Sequence, residues 1–234
     1  SLLAKLYWLS PIAVLVIIGL FLRWAPSTGL KQDIAQLEVG HGQSAPHHQQ
    51  ATQPPSWWAV AFILTANATL YTSLLFGAFF LWLSAPNWPP PDMDFTFAGR
   101  SGFAAAGLLL AAIGARFATG QTGRSPFGLG MTLAGCLLAL LSVATIVVAI
   151  PAPTMHAASA SALAVAVYVG LHAAIGALIA GYGLWRWFGG YISEGRSLDL
   201  RIGKLWHDYT AVAGLFGLAF PFVLQSLNKI GGGG

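Results

Sequence analysis

Charged side chains are scarce in this sequence, because Asp, Glu, Lys and Arg together make up only 8% of its 234 residues. A soluble globular domain carries about 25% charged residues. The hydrophobic fraction reaches 56%, and the mean hydropathy is +0.68. The shortage of charge therefore excludes an ordinary soluble domain and indicates that lipid solvates most of the chain.

Cysteine and recognisable catalytic motifs are also nearly absent. The only cysteine, Cys136, lies inside an apolar run, so no internal disulfide can form and the redox compartment stays open. No nucleotide-binding glycine loop, Walker motif or nucleophile elbow occurs. The basic residues behind the net charge of +4 are scattered over short loops. Membrane topology explains this scatter better than nucleic-acid binding does.

Six apolar runs are long enough to cross a bilayer, because a membrane helix needs roughly 20 apolar residues. None of the runs alternates in polarity as a membrane β-strand does. The sequence therefore predicts an all-α fold, a polytopic transmembrane helical bundle. The predicted spans are residues 3–25, 57–84, 102–118, 127–150, 162–188 and 205–228.

The runs divide the chain into four segments. A leading transmembrane helix (1–26) is followed by a polar connector (27–56), a five-helix bundle (57–230) and a glycine tail (231–234). The connector is rich in Gln, His, Ser and Pro, which predicts a flexible link between the first helix and the bundle.

The basic residues are divided unequally between the two sides that alternating helices would create. One side holds Arg23, Lys31, Arg116, Arg124, Arg186, Arg196, Arg201 and Lys204, and the other holds Lys5, Arg100 and Lys229. The side with eight basic residues is predicted to be cytoplasmic by the positive-inside rule. The connector then lies in the cytoplasm, and both ends of the chain lie on the outer side.

Polar side chains interrupt the second apolar run, residues 57–84. A stripe of hydroxyl-bearing residues is expected on one helical face, where it favours the close packing of a neighbouring helix. The stripe consists of Thr65, Thr69, Thr72 and Ser73, and it continues to the small residue Gly77. Asn67 points almost the opposite way, on the same face as Tyr71 and near the predicted midplane.

The six histidines do not predict a haem or metal site in this chain. Only His172 and His207 fall in predicted spans, and their depths differ by very roughly 15–20 Å in a bilayer core of about 30 Å. One haem iron therefore cannot take both as axial ligands. For His41, His47 and His48 in the connector, two interpretations stay open: solvated loop residues, or ligands. Their pKa range is also compatible with proton collection at the cytoplasmic surface.

Three of the runs resemble helices of subunit III of the haem-copper oxidases, in the form where subunit III follows subunit I in one fused polypeptide. The stretch "ANATLYTSLLFGAFFLWLSAPNWPPPD" resembles the third helix of that subunit and its outer loop. The stretch "YVGLHAAIGALIAGYGLWRW" is similar to the penultimate helix, and "LWHDYTAVAGLFGLAFPFVL" to the final helix, which opens on a Trp-His pair. The resemblance covers about residues 57–228.

This resemblance implies a non-redox subunit of a cytochrome c oxidase, a complex that reduces O2 to water and contributes to the proton gradient. Haem and copper are then expected in subunit I, and copper also in subunit II, with no cofactor and no catalytic residue in this chain. The implied partners are subunits I and II, phospholipids, and cytochrome c as electron donor to the complex. The implied location is the bacterial inner membrane.

The resemblance also singles out residues for lipid or subunit contact. They are Asn67, Tyr71, His172, Trp206 and His207. Asn67 stands where the family commonly has a membrane-embedded acidic residue, and Thr210 stands where many relatives have Asp. Because neither Asn nor Thr titrates, hydrogen-bonded packing is the role expected at these two positions. Plain helix packing remains the alternative for each residue of the set.

Two alternative functions stay open. A quinol-oxidising relative would use a near-identical subunit, and nothing in this chain distinguishes cytochrome c from quinol as the donor. A small membrane transporter would need a broken helix or paired charges near the midplane. The sequence offers only Pro221 and uncharged polar residues there.

Overall fold

The computed structural model describes residues 9–24, 29–85, 88, 90, 98–120 and 126–231. Six α-helices occur in this part of the chain. They are α1 (Leu9–Trp24), α2 (Pro55–Ser84), α3 (Ala98–Thr119), α4 (Pro126–Ala149), α5 (Ala157–Phe188) and α6 (Leu198–Gly231). The predicted all-α fold is confirmed, except that the connector also contains an antiparallel hairpin of β1 (Leu37–Gly40) and β2 (Gln43–Ala45).

Five helices, α2 to α6, are long and apolar enough to cross a membrane. The predicted count of six spans is not matched. The first helix is described over 16 residues, which corresponds to about 24 Å at 1.5 Å per residue. That length is shorter than a hydrocarbon core of about 30 Å. Residues 1–8 and 25–28, at the two ends of this helix, lie outside the described residues, as do most of the loop 86–97 and the tail 232–234.

All five long helices begin earlier than the predicted spans, and the difference is largest for α5 and α6, whose first turns include polar residues outside the apolar runs. α5 begins at Ala157 instead of residue 162, where the Nδ1 atom of His156 accepts a hydrogen bond of 3.0 Å from the Ala158 amide. Such a bond satisfies one of the unpaired amides of a helix start. α6 begins at Leu198 instead of residue 205, and Asp199 in its first turn forms a 2.7 Å ion pair with Arg186.

The helices α3 and α4 pack with their backbones in contact. A Cβ atom placed on Gly135 would come within 2.5 Å of the Ala111 amide nitrogen and the Gly107 carbonyl oxygen. A Cβ on Gly107 would lie 2.7 Å from the Ala139 nitrogen. Only glycine allows this approach, which is how membrane helices gain van der Waals contact where lipid supplies no hydrophobic driving force.

The bundle keeps small residues inside and large apolar residues outside. Ala104, Ala139 and Ala173 are completely buried, whereas Val148 and Phe188 are 87% and 76% exposed. Large outward apolar side chains suit contact with lipid tails, and small inward ones allow close helix packing. α5 lies between α2, α4 and α6 and contacts all three.

The hydroxyl stripe of α2 faces outward in this chain. Thr65 and Ser73 are exposed, and each hydroxyl donates to the carbonyl four residues earlier on the same helix, at 2.9 Å in both cases. Of the five long apolar helices, α2 buries the smallest share of its apolar window. Thr65, Thr69 and Ser73 therefore satisfy their hydroxyls on their own helix, and the stripe is exposed rather than packed on another helix within the described residues.

The connector is held against the turn between α5 and α6. The Arg196 guanidinium forms a 2.7 Å ion pair with Asp33 and also donates to the Leu30 carbonyl. Arg201 donates to the carbonyls of Ala51 at 2.6 Å and Thr52 at 2.8 Å. We call this end of the bundle, where α3 and α5 end and α2, α4 and α6 begin, the basic end.

The Asp33 carboxylate is stabilised in its charged form by these contacts. Hydrogen bonds from the Arg196 guanidinium, and secondarily from the Ser193 hydroxyl, hold the pKa of Asp33 below its ordinary value of 3.8. The segment whose composition predicts a flexible link is therefore tied to the bundle by specific hydrogen bonds.

Candidate functional site

Aromatic side chains from three helices meet in the middle of the bundle, between α2, α5 and α6. We call this group the aromatic cluster. It consists of Tyr71 on α2, Tyr168 and His172 on α5, and Trp206 and Tyr209 on α6. Three of the five predicted contact residues, Tyr71, His172 and Trp206, belong to it.

Tyr71 joins α2 to both of the other helices. Its side chain is 5% exposed, and its hydroxyl donates a 2.7 Å hydrogen bond to the Ala213 carbonyl on α6. Its ring stacks on that of Tyr168, with 4.6 Å between ring centroids. Stacked aromatic pairs contribute about 0.5–1.5 kcal/mol beyond the area they bury.

His172 and Trp206 join α5 to α6 by a stacked pair of rings. Their centroids lie 5.2 Å apart with 14° between the planes, and the Trp206 indole nitrogen donates to the His172 carbonyl at 3.1 Å. The His172 Nδ1 atom lies 3.0 Å from the Tyr168 carbonyl. A carbonyl can only accept, so this nitrogen carries the hydrogen. Nε2 of His172 is buried and has no hydrogen-bond partner among the described residues.

The hydroxyls of Tyr168 and Tyr209 complete the cluster, with 2.5 Å between their oxygens. Tyr168 also lies 3.5 Å from the backbone carbonyl of Asn67. The Asn67 side chain takes no part in this network, because its amide nitrogen donates to the Ile63 carbonyl of its own helix at 3.2 Å. Asn67 therefore borders the cluster through its backbone alone.

The remaining predicted residue, His207, does not reach the cluster. It is buried on another face of α6, where its Nδ1 atom lies 3.7 Å from the Cys136 sulfur on α4. Gly176 makes room for the ring, because a Cβ there would come within 3.0 Å of the His207 Cε1 atom. His172 and His207 therefore contact different helices, and the structure does not bring them together.

The sequence interpretation missed Tyr168 and Tyr209, although the signal was present. Tyr168 precedes His172 by four residues and Tyr209 follows Trp206 by three. Residues at these spacings lie on the same helical face. Including the residues three or four positions from each predicted contact residue would have identified both tyrosines.

A second polar group lies at the basic end. The Arg186 side chain, 3% exposed, pairs with Asp199 at 2.7 Å and lies over the rings of Tyr182 and Tyr191, at 5.5 and 4.9 Å from their centroids. A buried guanidinium is tolerated when it is paired and stacked in this way. The residue Asp199 also lines an adjacent cavity.

This cavity has a volume of about 170 Å³ and lies between α3, α4, α5 and α6. Its walls are mainly Ala, Gly, Leu and Ile, and the polar residues among its lining are Thr132, Tyr182, Asp199, Lys204 and His207. His207 lies at the deep end and Asp199 at the start of α6. Eight residues separate them along the helix, which corresponds to about 12 Å.

The contacts of these groups are ring stacking, ion pairs and hydrogen bonds. Among the residues that the structure describes, no three or more His, Cys, Asp or Glu side chains are placed to hold a metal ion together. The aromatic cluster links three helices through ring stacking and hydrogen bonds to backbone carbonyls. Inside a bilayer such bonds satisfy groups that water cannot reach.

The five long apolar helices, with small residues inside and large apolar residues outside, define an integral membrane protein of the helical-bundle class. No protein-family model matches this chain, and no curated protein matches it.

Proposed function

We propose that this chain is a non-redox subunit of a terminal haem-copper oxidase, equivalent to subunit III or to the subunit III portion of a fused subunit I and III polypeptide. The complex would reduce O2 to water with electrons from cytochrome c and contribute to the proton gradient. This chain would stabilise subunit I, bind phospholipid and support proton uptake. Its partners would be subunits I and II, which hold the haem and copper.

The observation that carries the proposal is that the three stretches resembling subunit III helices contact one another through particular side chains. Tyr71, His172 and Trp206 each come from a different stretch, and the structure brings all three into one aromatic cluster. Residues that carry a family pattern and also contact one another support a shared structural role. The stacked and hydrogen-bonded cluster suits a rigid subunit better than a moving carrier.

In this proposal the chain supports proton uptake only indirectly, by stabilising subunit I. Asn67 has no titratable proton, and its side chain is bonded to its own helix. We therefore assign it a packing role beside Tyr168, and place the proton-conducting groups in subunit I.

The proposed location is the bacterial inner membrane, with the basic end in the cytoplasm and both ends of the chain outside. Among the described basic residues, Lys31, Arg186, Arg196, Arg201 and Lys204 lie at the basic end. This distribution is the one that the positive-inside rule associates with a cytoplasmic surface.

The test is a reduced-minus-oxidised optical spectrum of the material that co-purifies with this chain in mild detergent. The expected result is an a-type haem signal in stoichiometric amount. A b- or o-type signal would favour the quinol-oxidising relative instead. A colourless preparation, from membranes that contain the oxidase, would overturn the proposal and leave a transporter or scaffold as the better hypothesis.

A further inference from the structure

The cavity at the basic end has apolar walls and one cation without a counter-ion. Lys204 lines the cavity, is half-buried, and makes no ion pair or hydrogen bond within the part of the chain that the structure describes. Three other basic side chains at this end form ion pairs with carboxylates. The pairs are Arg116–Asp208, Arg186–Asp199 and Arg196–Asp33. Lys204 is therefore the cation in the cavity lining that an added anion would complement.

A second donor at the same cavity also lacks an acceptor. The Tyr182 hydroxyl accepts a 3.2 Å hydrogen bond from Arg186, which leaves its own hydrogen to donate. No acceptor for that hydrogen occurs among the described residues. The cavity thus offers an ammonium group and a hydroxyl donor to one ligand, and phosphate oxygens accept strong, charge-assisted hydrogen bonds from such groups.

The position of Lys204 fits a ligand that is charged at one end only. It lies six residues after the start of α6, about 9 Å along the helix axis. The cavity then continues towards His207 between walls formed by residues such as Ala115, Ile179 and Ala180. An apolar tail would be solvated there, while a headgroup would remain near the end of the bundle, where lysine side chains commonly extend towards the interface.

We propose that this cavity binds one anionic phospholipid, with its phosphate at Lys204 and Tyr182 and the upper part of one acyl chain between α3, α4, α5 and α6. The inference deepens the lipid binding of the proposed function and rests on that part of it, but not on the identity of the complex. Basic residues near a membrane surface attract anionic lipids, and this cavity adds a specific place for one of them.

The test measures lipid binding to the protein, purified in mild detergent with any subunits that accompany it. After delipidation, phosphatidylglycerol or phosphatidylcholine is titrated in, and bound lipid is counted by native mass spectrometry. We expect one phosphatidylglycerol to bind more tightly than any phosphatidylcholine. In Lys204→Gln its affinity should fall about tenfold, the loss expected for one charge-assisted hydrogen bond.

Two control variants separate a specific site from general electrostatics. Lys204→Arg keeps the charge and should retain binding. Lys31→Gln removes one charge at the same end, where Lys31 lies over the Tyr191 ring outside the cavity, and should leave the affinity unchanged. Equal losses in Lys31→Gln and Lys204→Gln would overturn the proposal, as would unchanged affinity in Lys204→Gln or equal affinity for both lipids.

A third variant, Ala180→Leu, tests the acyl-chain part of the site. Ala180 is buried against the cavity, so a larger side chain would occupy the space proposed for the lipid tail. We expect loss of the tightly bound phosphatidylglycerol while Lys204 remains in place. Wild-type affinity in this variant would overturn the placement of the tail.

The lipid result and the haem spectrum are independent of each other. A colourless preparation that still binds phosphatidylglycerol through Lys204 would overturn the oxidase proposal and support this site. A haem-containing preparation in which Lys204→Gln binds phosphatidylglycerol as the wild type does would support the oxidase proposal and overturn this lipid site.

Discussion

At the scale of single residues, the side chains that connect the helices combine an aromatic ring, which stacks, with a polar atom, which forms a hydrogen bond. Tyr71 shows how this works, because its ring stacks on Tyr168 while its hydroxyl reaches the Ala213 carbonyl. In a bilayer the hydroxyl lacks water as an alternative partner, so this bond to α6 satisfies a donor that would otherwise be unpaired.

Removing the Tyr71 hydroxyl should therefore weaken the bundle. We expect Tyr71→Phe to lower the free energy of unfolding in detergent by about 1 kcal/mol, since interhelical hydrogen bonds in membrane proteins contribute about 0.6 kcal/mol on average and up to about 1.7. Thermal or denaturant unfolding followed by circular dichroism measures the change. Ser73→Ala is the matched control, because that hydroxyl bonds only to its own helix. Equal effects of the two variants would contradict the interhelical role.

At the scale of helices, the closeness of α3 and α4 depends on individual glycines. Gly135 and Gly130 lie on the same helix, yet only Gly135 faces the backbone of α3. A Cβ at Gly130 would meet nothing within 4 Å. The two positions therefore separate the intrinsic effect of glycine in a helix from the effect of helix contact.

We expect Gly135→Ala to destabilise the protein by about 1–3 kcal/mol, the usual cost of inserting a methyl group into a packed contact. Gly130→Ala should be neutral or stabilising by up to about 1 kcal/mol, because alanine favours helix formation. Melting temperatures of the two variants in the same detergent provide the measurement. Similar melting temperatures would show that α3 and α4 do not meet at Gly135.

The connector is attached to the bundle by one ion pair together with hydrogen bonds from Arg196 and Arg201 to backbone carbonyls. We expect Asp33→Asn to speed the tryptic cleavage after Lys31, because the neutral side chain loses the charge interaction with Arg196. The control is Glu38→Gln in β1, an exposed carboxylate in the same segment. Limited proteolysis followed by mass spectrometry measures both rates. Unchanged cleavage in Asp33→Asn would indicate that the hydrogen bonds from Arg196 and Arg201 to backbone carbonyls hold the connector without the ion pair.

The same ion pair predicts how the docking of the connector on the bundle depends on pH. Because Arg196 lowers the pKa of Asp33 in the folded state, the pair stabilises the docked connector above the ordinary pKa of 3.8. This contribution is lost as the pH falls through the lowered value. Docking should therefore persist at neutral pH and weaken only in strong acid.

At the scale of the whole molecule, the orientation in the membrane is a prediction from charge. Ser44 in the connector hairpin and Thr154 in the turn before α5 are both exposed and lie at opposite ends of the bundle. The native Cys136 is buried, so it should contribute little background to thiol labelling. Single cysteines at these two positions can therefore report the two sides of the membrane.

We expect an impermeant maleimide to label Thr154→Cys in intact spheroplasts, and Ser44→Cys only after the membrane is permeabilised. The positive-inside rule gives this orientation. Mass analysis of the labelled protein is the measurement, with the unsubstituted chain as control. The reverse pattern would place the basic end outside and contradict both the proposed topology and the proposed oxidase subunit.

Much of this fold could be predicted from particular stretches of sequence. The apolar runs around Asn67, Cys136 and His172 are α2, α4 and α5, because a bilayer core requires helices of that length and composition. The early starts of α5 and α6 were missed, since capping by His156 and pairing by Asp199 involve polar residues that an apolar run does not include.

The candidate site could be predicted only in part. Tyr71, His172 and Trp206 were identified individually, but helical periodicity gives the face of a residue and not the helix that covers that face. For this reason the sequence could place His172 and His207 at different depths but could not show that His207 lies against Cys136. The cavity beside Lys204 could not be seen in the sequence at all, because four separate helices form its walls.

The sequence by itself determined that the chain is a helical membrane protein. In lipid, backbone hydrogen bonds can be satisfied only within helices or closed β-barrels, and long apolar runs without alternation indicate helices. Tertiary structure alone decided which distant groups meet. Tyr71 bonds to Ala213 and Asp33 pairs with Arg196. These contacts join residues far apart in the chain, and they depend on how helices turn and pack against each other, which local sequence patterns do not encode.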